Sequence, residues 1–352
     1  MNRKLDYKAQ YRVIKSKNAL LQGAFKRLIQ STWGYSLNAA RTLYLSAIRP
    51  VLTYGALAWF PYQREKELKT LKEALNNLQG CFLRAIAGAY KATAKEALEI
   101  ELYIEPLDLY IEKTAIKSLS RLTSQGYLQD IQQFSQKIRN FKAKRRPRIR
   151  KKIRIPSRTS ISLKNKELYR IIKDIESRGT PILLKPLEIE SYKKEWRLYK
   201  ERLDLYYLSK WKEKWENIAK GREIAKYYPE PTEKALELYI NRPRIASTAI
   251  IQLRTAKIGL KLFLYKRKVP NIDPLCECGL ENESVEHFLL KCSKWAKYRE
   301  DILEDYSQKS TKDILSNRQG SYRAARFLIA TKRLEQFSQT KDLEAEEEPK
   351  KT

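Results

Sequence analysis

The sequence predicts an all-α fold, on three observations. Apolar residues recur every three or four positions along most of the 352-residue chain, the signature of amphipathic helices. Alternating, strand-like runs are scarce. Helix-starting and helix-breaking residues, such as Ser36 and Pro50, fall at the borders of the periodic stretches.

Taken in order, residues 17–30 read as a helix with Ala19, Leu20, Phe25 and Leu28 available to its buried face. Ser36 is the expected N-cap of a second helix, running through Leu37, Ala40, Leu43, Tyr44 and Ala47 to a break at Pro50, where the backbone loses a donor. Residues 64–87 give a third, with Leu68, Leu71, Leu75, Leu78, Phe82 and Ile86 at core spacing and Cys81 expected among them as a small buried apolar residue. Two more are expected near 93–102 and 107–124. A short helix is expected over 163–178. A long charged one follows over 188–220, where Trp211 and Trp215 share a face; their spacing fits core packing better than an exposed stacking platform. Helices near 232–240 and 246–266 follow, the second with Ile250, Leu253, Ile258 and Leu262 inward and Arg254, Lys257 and Lys261 in solvent. One with Trp295, Tyr298, Ile302 and Leu303 comes next, and a last one near 319–335.

These elements suggest four consecutive regions: a helical domain over 1–125, a basic linker over 126–187, a second helical domain over 188–340, and a tail over 341–352 without an apolar face. Between Lys142 and Arg158 ten of 17 positions are Lys or Arg and none is acidic, with Pro147 and Pro156 interrupting any helix. Such a run repels itself unless a partner neutralises it. It reads as a solvated linker, a nuclear-import signal, a nucleic-acid arm, or all three.

Charge narrows the partners. The chain has 72 Lys and Arg against 41 Asp and Glu, a net charge of +31. A polyanion, most often nucleic acid, is the expected partner of so basic a surface. A membrane role favours one basic amphipathic helix with a free apolar face, whereas here the charge is spread along the whole chain. The apolar segment from Leu43 to Phe60 carries Arg49 and Pro50 in its middle. A central arginine costs about 2.5–3.5 kcal/mol on insertion, so a buried kinked helix is the better reading. The first residues are charged and polar, unlike a secretory leader.

The most specific signal is Cys276, Cys278, His287 and Cys292. Three of the four cysteines and the only histidine fall within 17 residues, spaced C-x-C-x8-H-x4-C. Three thiolates and one imidazole form a closed tetrahedral set for structural Zn²⁺, and thiolate ligands imply a reducing compartment. A single residue between Cys276 and Cys278 demands a sharp turn, which Gly279 assists. On one straight helix His287 and Cys292 would lie about 140° apart, so the helix carrying His287 should end before Cys292. Because binding energy in such modules is folding energy, chelation is expected to melt residues near 245–305 and leave 17–125 folded.

The stretch from Cys276 to Trp295, CECGLENESVEHFLLKCSKW, resembles the C-terminal cysteine–histidine segment of non-LTR (LINE-type) retrotransposon reverse transcriptases. Residues Arg242 to Pro270 are similar to the helical lead-in of that segment, especially in elements of filamentous fungi. Ser31 to Trp59 resembles the thumb that follows the palm, and Gly88 to Ile111 the connector after the thumb. The resemblance implies a thumb-like helical domain, a basic linker and a helical domain carrying a zinc segment. It also implies a partner in RNA or DNA, or in the remainder of a retrotransposon polyprotein, and a nuclear or nucleo-cytoplasmic location. The family's two-metal palm carries adjacent aspartates. This chain has no Asp-Asp dipeptide, and residues 126–230 show no carboxylate set suited to a ribonuclease H domain. The endonuclease, fingers and palm would all precede Met1.

The expectation is therefore a non-catalytic nucleic-acid-binding remnant of a reverse transcriptase. The expected phosphate contacts are Arg27, Arg41, Lys69 and Lys72 in the thumb-like part. Lys144, Arg145, Arg146, Arg148, Arg150, Lys151 and Lys152 would contribute from the arm, and Lys266, Arg267, Lys268, Lys291 and Lys294 from the surroundings of the zinc segment. Alternatives are the C-terminal portion of an active RNA-directed DNA polymerase completed by a palm-containing chain, and a host-adopted protein-interaction scaffold.

Overall fold

A computed structural model of the chain describes residues 7–56, 65–124, 189–219, 222–306, 308–338, 340 and 343. Its elements are helices; among the described residues strand pairing is confined to two isolated bridges, Ile29–Gly34 and Leu275–Asn282. The fold is all-α. No described helix is long and apolar enough to cross a membrane. The basic run 142–158 and the helix expected over 163–178 lie outside the described residues.

The chain gathers into two compact units with interleaved segments. Unit 1 comprises Met1–Lys17, Val51–Asn76 and Leu107–Trp211. Unit 2 comprises Asn18–Pro50, Asn77–Pro106 and Lys212–Thr352. This is not the consecutive division read from the sequence: residues 18–50 and 77–106 share a unit with the cysteine–histidine segment.

Helix α1 is Tyr7–Leu28 and begins ten residues before the expected 17. Its buried positions are Ile14, Asn18 and Phe25, while Leu20 and Leu28 face solvent, so the apolar stripe is rotated from the one expected. Helix α2, Leu37–Leu43, starts at Ser36, whose hydroxyl accepts the Ala39 N–H at 3.3 Å. It does not break at Pro50. A π-turn over Tyr44–Ile48 leads directly into α3, Arg49–Thr53. The wider turn absorbs the proline's missing donor and resets the phase. Tyr44, Ile48 and Leu52 are buried, and Ala47 is exposed.

Helices α4 (Glu65–Ala87), α5 (Lys95–Glu101) and α6 (Leu107–Ser124) follow the expected spans. Cys81 is only half-buried. Helix α7 is Ile189–Ala219, with Trp211 and Trp215 both buried, as core residues should be. In unit 1, Asn76 Oδ1 accepts the Asp108 N–H at 3.1 Å, and Ser120 and Tyr199 share a hydroxyl–hydroxyl bond of 2.7 Å. Leu71, Leu75, Ile111, Ile116 and Leu203 are buried there.

In unit 2, residues Glu233–Tyr239 form a 3₁₀ rather than an α-helix. The helix expected over 246–266 is two helices, α8 (Arg244–Thr255) and α9 (Lys261–Lys266). Ala256 ends α8 in the left-handed region at φ 50°. All twelve residues of α8 are buried, including Arg244 and Arg254. Arg254 thus lies in the core and not in solvent, as its helical phase had suggested. Helix α10 is Ala296–Leu303, followed by α11 (Thr311–Ser316), α12 (Arg318–Ala330) and α13 (Glu335–Ser338).

The polar ties inside unit 2 explain its composition. Arg244 donates from Nε to Gln30 O at 2.8 Å and from its terminal nitrogens to Ala85 O (2.6 Å) and Ile86 O. Gln252 Nε2 donates to Gly88 O at 2.9 Å. Gly88 sits at φ +61°, and a Cβ there would lie 2.3 Å from the Thr248 hydroxyl, so only glycine allows α8 to approach the end of α4.

Candidate metal centre

The local chain geometry builds the centre from two pieces. The first is a tight turn. Gly279 N–H donates to Cys276 O at 2.9 Å and Cys276 N–H to Glu281 O at 2.9 Å, while Gly279 adopts φ 77°. This places the Cys276 and Cys278 thiols on one side of a two-stranded loop closed by the Leu275–Asn282 bridge. The second piece is a π-turn over His287–Lys291, in which Cys292 N–H donates to His287 O at 2.8 Å. Cys292 itself is extended, with φ −63° and ψ 120°. The helix does end before Cys292, as the five-residue separation required, and the wide turn brings the two side chains to the same place.

The ligand atoms of Cys276, Cys278, His287 and Cys292 all lie within 4.8 Å of one another. Cys276 Sγ and Cys292 Sγ are 3.6 Å apart, and Cys278 Sγ is 3.2 Å from His287 Nε2. With metal–sulfur bonds of about 2.3 Å, a tetrahedral site has S···S edges of about 3.8 Å, so the cluster has the size of a closed four-ligand metal site. The donor set of three sulfurs and one nitrogen suits a borderline-soft ion. Burial pushes the Cys276 thiol up to about 12. Cys278 is brought down to about 7, chiefly by the Leu280 N–H that points at its sulfur.

The surroundings fix these ligands. His287 is buried, its Nδ1 has no hydrogen-bond partner, and the nearest carboxylate is that of Glu281 at 3.5 Å. With Nε2 on a metal, Nδ1–H faces that carboxylate, the arrangement that orients a ligating imidazole. Arg299 donates to Leu289 O at 2.9 Å and Cys292 O at 2.7 Å, capping the π-turn. Phe288 is fully buried and meets Phe327 of α12 edge-to-face at 5.2 Å. Glu283, with a side chain 2% exposed, receives two hydrogen bonds of 2.7 Å from Arg333 and one of 2.7 Å from Lys261 N at the start of α9. None of Glu281, Glu283, Arg299 or Arg333 stood out in the sequence; the clue was the run of glutamates between the ligands.

The expected phosphate contacts divide. Arg27 and Lys69 are exposed, and Lys72 is paired with Glu112 at 2.9 Å. Arg41 is turned inward: Nε donates to Leu102 O at 2.7 Å and Nη2 to Tyr103 O at 2.9 Å, satisfying the end of α5. Burial and the nearby Arg49 lower its pKa. Lys291 is paired with Glu286 at 3.0 Å, and Lys294 with Glu277, so the lysines beside the ligands largely neutralise the glutamates there. Lys266, Arg267 and Lys268 are exposed and form no ion pair with a described residue. Lys144, Arg145, Arg146, Arg148, Arg150, Lys151 and Lys152 lie outside the described residues.

No protein-family model, no curated protein and no solved structure matches the chain.

Proposed function

We propose that the chain is a non-catalytic nucleic-acid-binding protein, a remnant of a LINE-type reverse transcriptase, whose Cys276–Cys278–His287–Cys292 cluster holds a structural Zn²⁺. The observation that carries the metal assignment is the convergence of four ligand atoms within 4.8 Å. Three thiolates and an imidazole favour zinc over harder divalent ions. Four protein ligands leave no open position for water or substrate, which suits a structural role. The ion's contribution is to hold the tight turn and the π-turn together; no chemistry is asked of it.

Nucleic acid as the partner is supported by the net charge of +31, by the cations Lys266, Arg267 and Lys268, which form no ion pair with a described residue, and by the resemblance of residues 31–59, 88–111, 242–270 and 276–295 to the thumb, the connector, the helical lead-in and the cysteine–histidine segment. The basic run 142–158 suits both a nucleic-acid arm and a nuclear address. Phosphate contacts set affinity without reading sequence, so binding is weakly specific and strongly salt-dependent. The test is fluorescence anisotropy of a labelled oligonucleotide against salt. Six to ten phosphate contacts lose about 10³–10⁵ in affinity between 50 and 200 mM salt; an affinity unchanged over that range contradicts the reading.

A further inference from the structure

We infer that the turn between α1 and α2 is a base-stacking site, where Trp33 and Tyr35 receive the unpaired bases of a single strand; this rests on the reading of the chain as a nucleic-acid binder. Of the tryptophans among the described residues, Trp33 alone is exposed, at 57%, and Tyr35 is 48% exposed. Among the described residues neither ring has an aromatic or cationic neighbour, and neither the indole N–H nor the Tyr35 hydroxyl has a hydrogen-bond partner. Trp211 and Trp215, by contrast, are buried.

The backbone builds this display. Gln30 N–H donates to Trp33 O at 2.9 Å and Tyr35 N–H to Leu28 O at 3.3 Å, closing the turn over the Ile29–Gly34 bridge. Ile29 is buried, whereas Leu28, Trp33 and Tyr35, on either side of the bridge, stand in solvent. Gly34 lies at φ +100°, and a Cβ there would collide with the Leu28 carbonyl oxygen, so the closure needs glycine. The turn is also held from outside. Gln30 O accepts the Nε–H of buried Arg244, whose terminal nitrogens bind Ala85 O and Ile86 O, and Ser36 caps α2 directly after the turn. Two aromatic faces on so fixed a mount lose little freedom when a ligand binds.

Charge decides the occupant. Lys26 and Arg27, in the last turn of α1, are exposed and form no ion pair with a described residue. No Asp or Glu occurs between Tyr7 and Arg64. The 3₁₀ turn Glu233–Tyr239, tied to α2 through Asn38 Nδ2 and Tyr239 O, brings Glu233 and Glu237 near; Glu233 acts on Arg41, and neither pairs with Lys26 or Arg27. Open aromatic faces beside such cations suit a strand that offers its bases to the rings and its phosphates to lysine and arginine. A duplex shows a base face only at its ends. An anionic membrane also takes Trp and Tyr beside basic residues, but it needs a broad apolar helix face. At about 100° per residue, Arg12, Lys15, Lys17, Lys26 and Arg27 fall on every solvent-facing side of α1 and leave it no such face.

The test measures fluorescence anisotropy of the full chain with a labelled oligothymidylate and with an abasic strand of the same length, which keeps the phosphates and lacks the bases. The variant is Trp33→Ala, Tyr35→Ala. Both side chains are exposed, so it is expected to keep its helicity. The variant Trp33→Leu, Tyr35→Leu, with apolar bulk but no aromatic face, stands in should the first misfold. Each stacked base is worth about 5- to 150-fold in affinity, so oligothymidylate binding is expected to weaken by that range. The slope of log K against log salt should stay the same, because no phosphate contact is lost. Binding of the abasic strand should not change, and Trp33→Phe, Tyr35→Phe should restore most of the preference for bases. A wild type that binds both strands equally, a variant that keeps its oligothymidylate affinity, or an equal loss on the abasic strand overturns the stacking site and leaves the nucleic-acid reading standing. So does wild-type binding to phosphatidylserine vesicles that the variant loses while its oligothymidylate affinity is kept. Failure of the wild-type chain to bind any oligonucleotide overturns both.

Discussion

Arg254 of α8 and Glu101 at the end of α5 form a two-point ion pair, with Nε–Oε1 at 2.7 Å and Nη2–Oε2 at 3.3 Å, between side chains wholly excluded from solvent. Arg254 also donates to Leu315 O, and its guanidinium lies over the Tyr227 ring at 4.1 Å and the Tyr228 ring at 4.8 Å. Tyr239 donates its hydroxyl to the same Glu101 oxygen. Burial alone would lower the pKa of Arg254, but Glu101 raises it above the ordinary arginine value. Burial, then Glu101, carries the Tyr239 hydroxyl well above its own. Five segments of unit 2 meet at this pair.

Removing one partner strands the other. Arg254→Met is expected to destabilise unit 2 by about 3–5 kcal/mol, because Glu101 is left as a buried uncompensated charge. The double variant Arg254→Met, Glu101→Leu should recover much of that loss, since a well-packed apolar replacement of a buried pair is often neutral. Urea denaturation of the single and double variants checks this; equal stability of wild type and Arg254→Met contradicts the burial of the pair.

Chelation should act locally. The sequence suggested that melting would spread over 245–305 while 17–125 stayed folded. The structure divides the chain elsewhere: α8 is held by Glu101, Ala85, Ile86 and Gly88, none of which depends on the metal. Hydrogen exchange after EDTA treatment is expected to show lost protection over 274–292 and at the start of α9, with α8 still protected. Loss of protection through α8 contradicts this division.

Glu281→Gln tests the orientation of the imidazole. Its carboxylate lies 3.5 Å from His287 Nδ1. Partners of this kind are worth about 10–100-fold in metal affinity. Competition with a zinc chelator should show a weakening within that range, with helicity unchanged.

In the metal-free protein the Cys278 thiol should react ahead of Cys276. The Cys278 pKa is lowered to about 7, from the ordinary value of 9.0, so its thiolate fraction rises steeply as pH passes from 6 to 8. Cys276, raised to about 12 by burial, stays protonated over that range. For Cys278 the sign of linkage is that of a depressed pKa: ionisation favours the folded apo-protein above about pH 9, and that contribution is lost as pH falls through 7. Iodoacetamide with peptide mapping is expected to label Cys278 before Cys276, with a rate that climbs through neutral pH. Preferential labelling of Cys276 contradicts the assignment.

Much of this was legible in the sequence. Helical periodicity marked α4, α5, α6 and α7, and the spacing of Cys276, Cys278, His287 and Cys292 required the tight turn and the interrupted helix that the structure contains. Three things were not legible. Ala256 is a good helix former, so nothing local announced the left-handed end of α8. Pro50 announced a disturbance of the helix, but not that a π-turn over Tyr44–Ile48 would carry the helix through it and shift the buried face. Arg254 has the helical phase of a solvent residue, and only its partner, distant in sequence, makes its burial tolerable. For the centre, the four side chains that cluster were legible from their spacing, whereas Glu283 and Arg333 needed the fold to bring them together.

Native mass spectrometry of the purified full chain, with and without an oligothymidylate, tests the central claim most directly. The account predicts a chain carrying one zinc ion, lost on Cys278→Ser, and an oligonucleotide complex that dissociates as ammonium acetate is raised. A metal-free chain that forms no oligonucleotide complex at any salt concentration would contradict it.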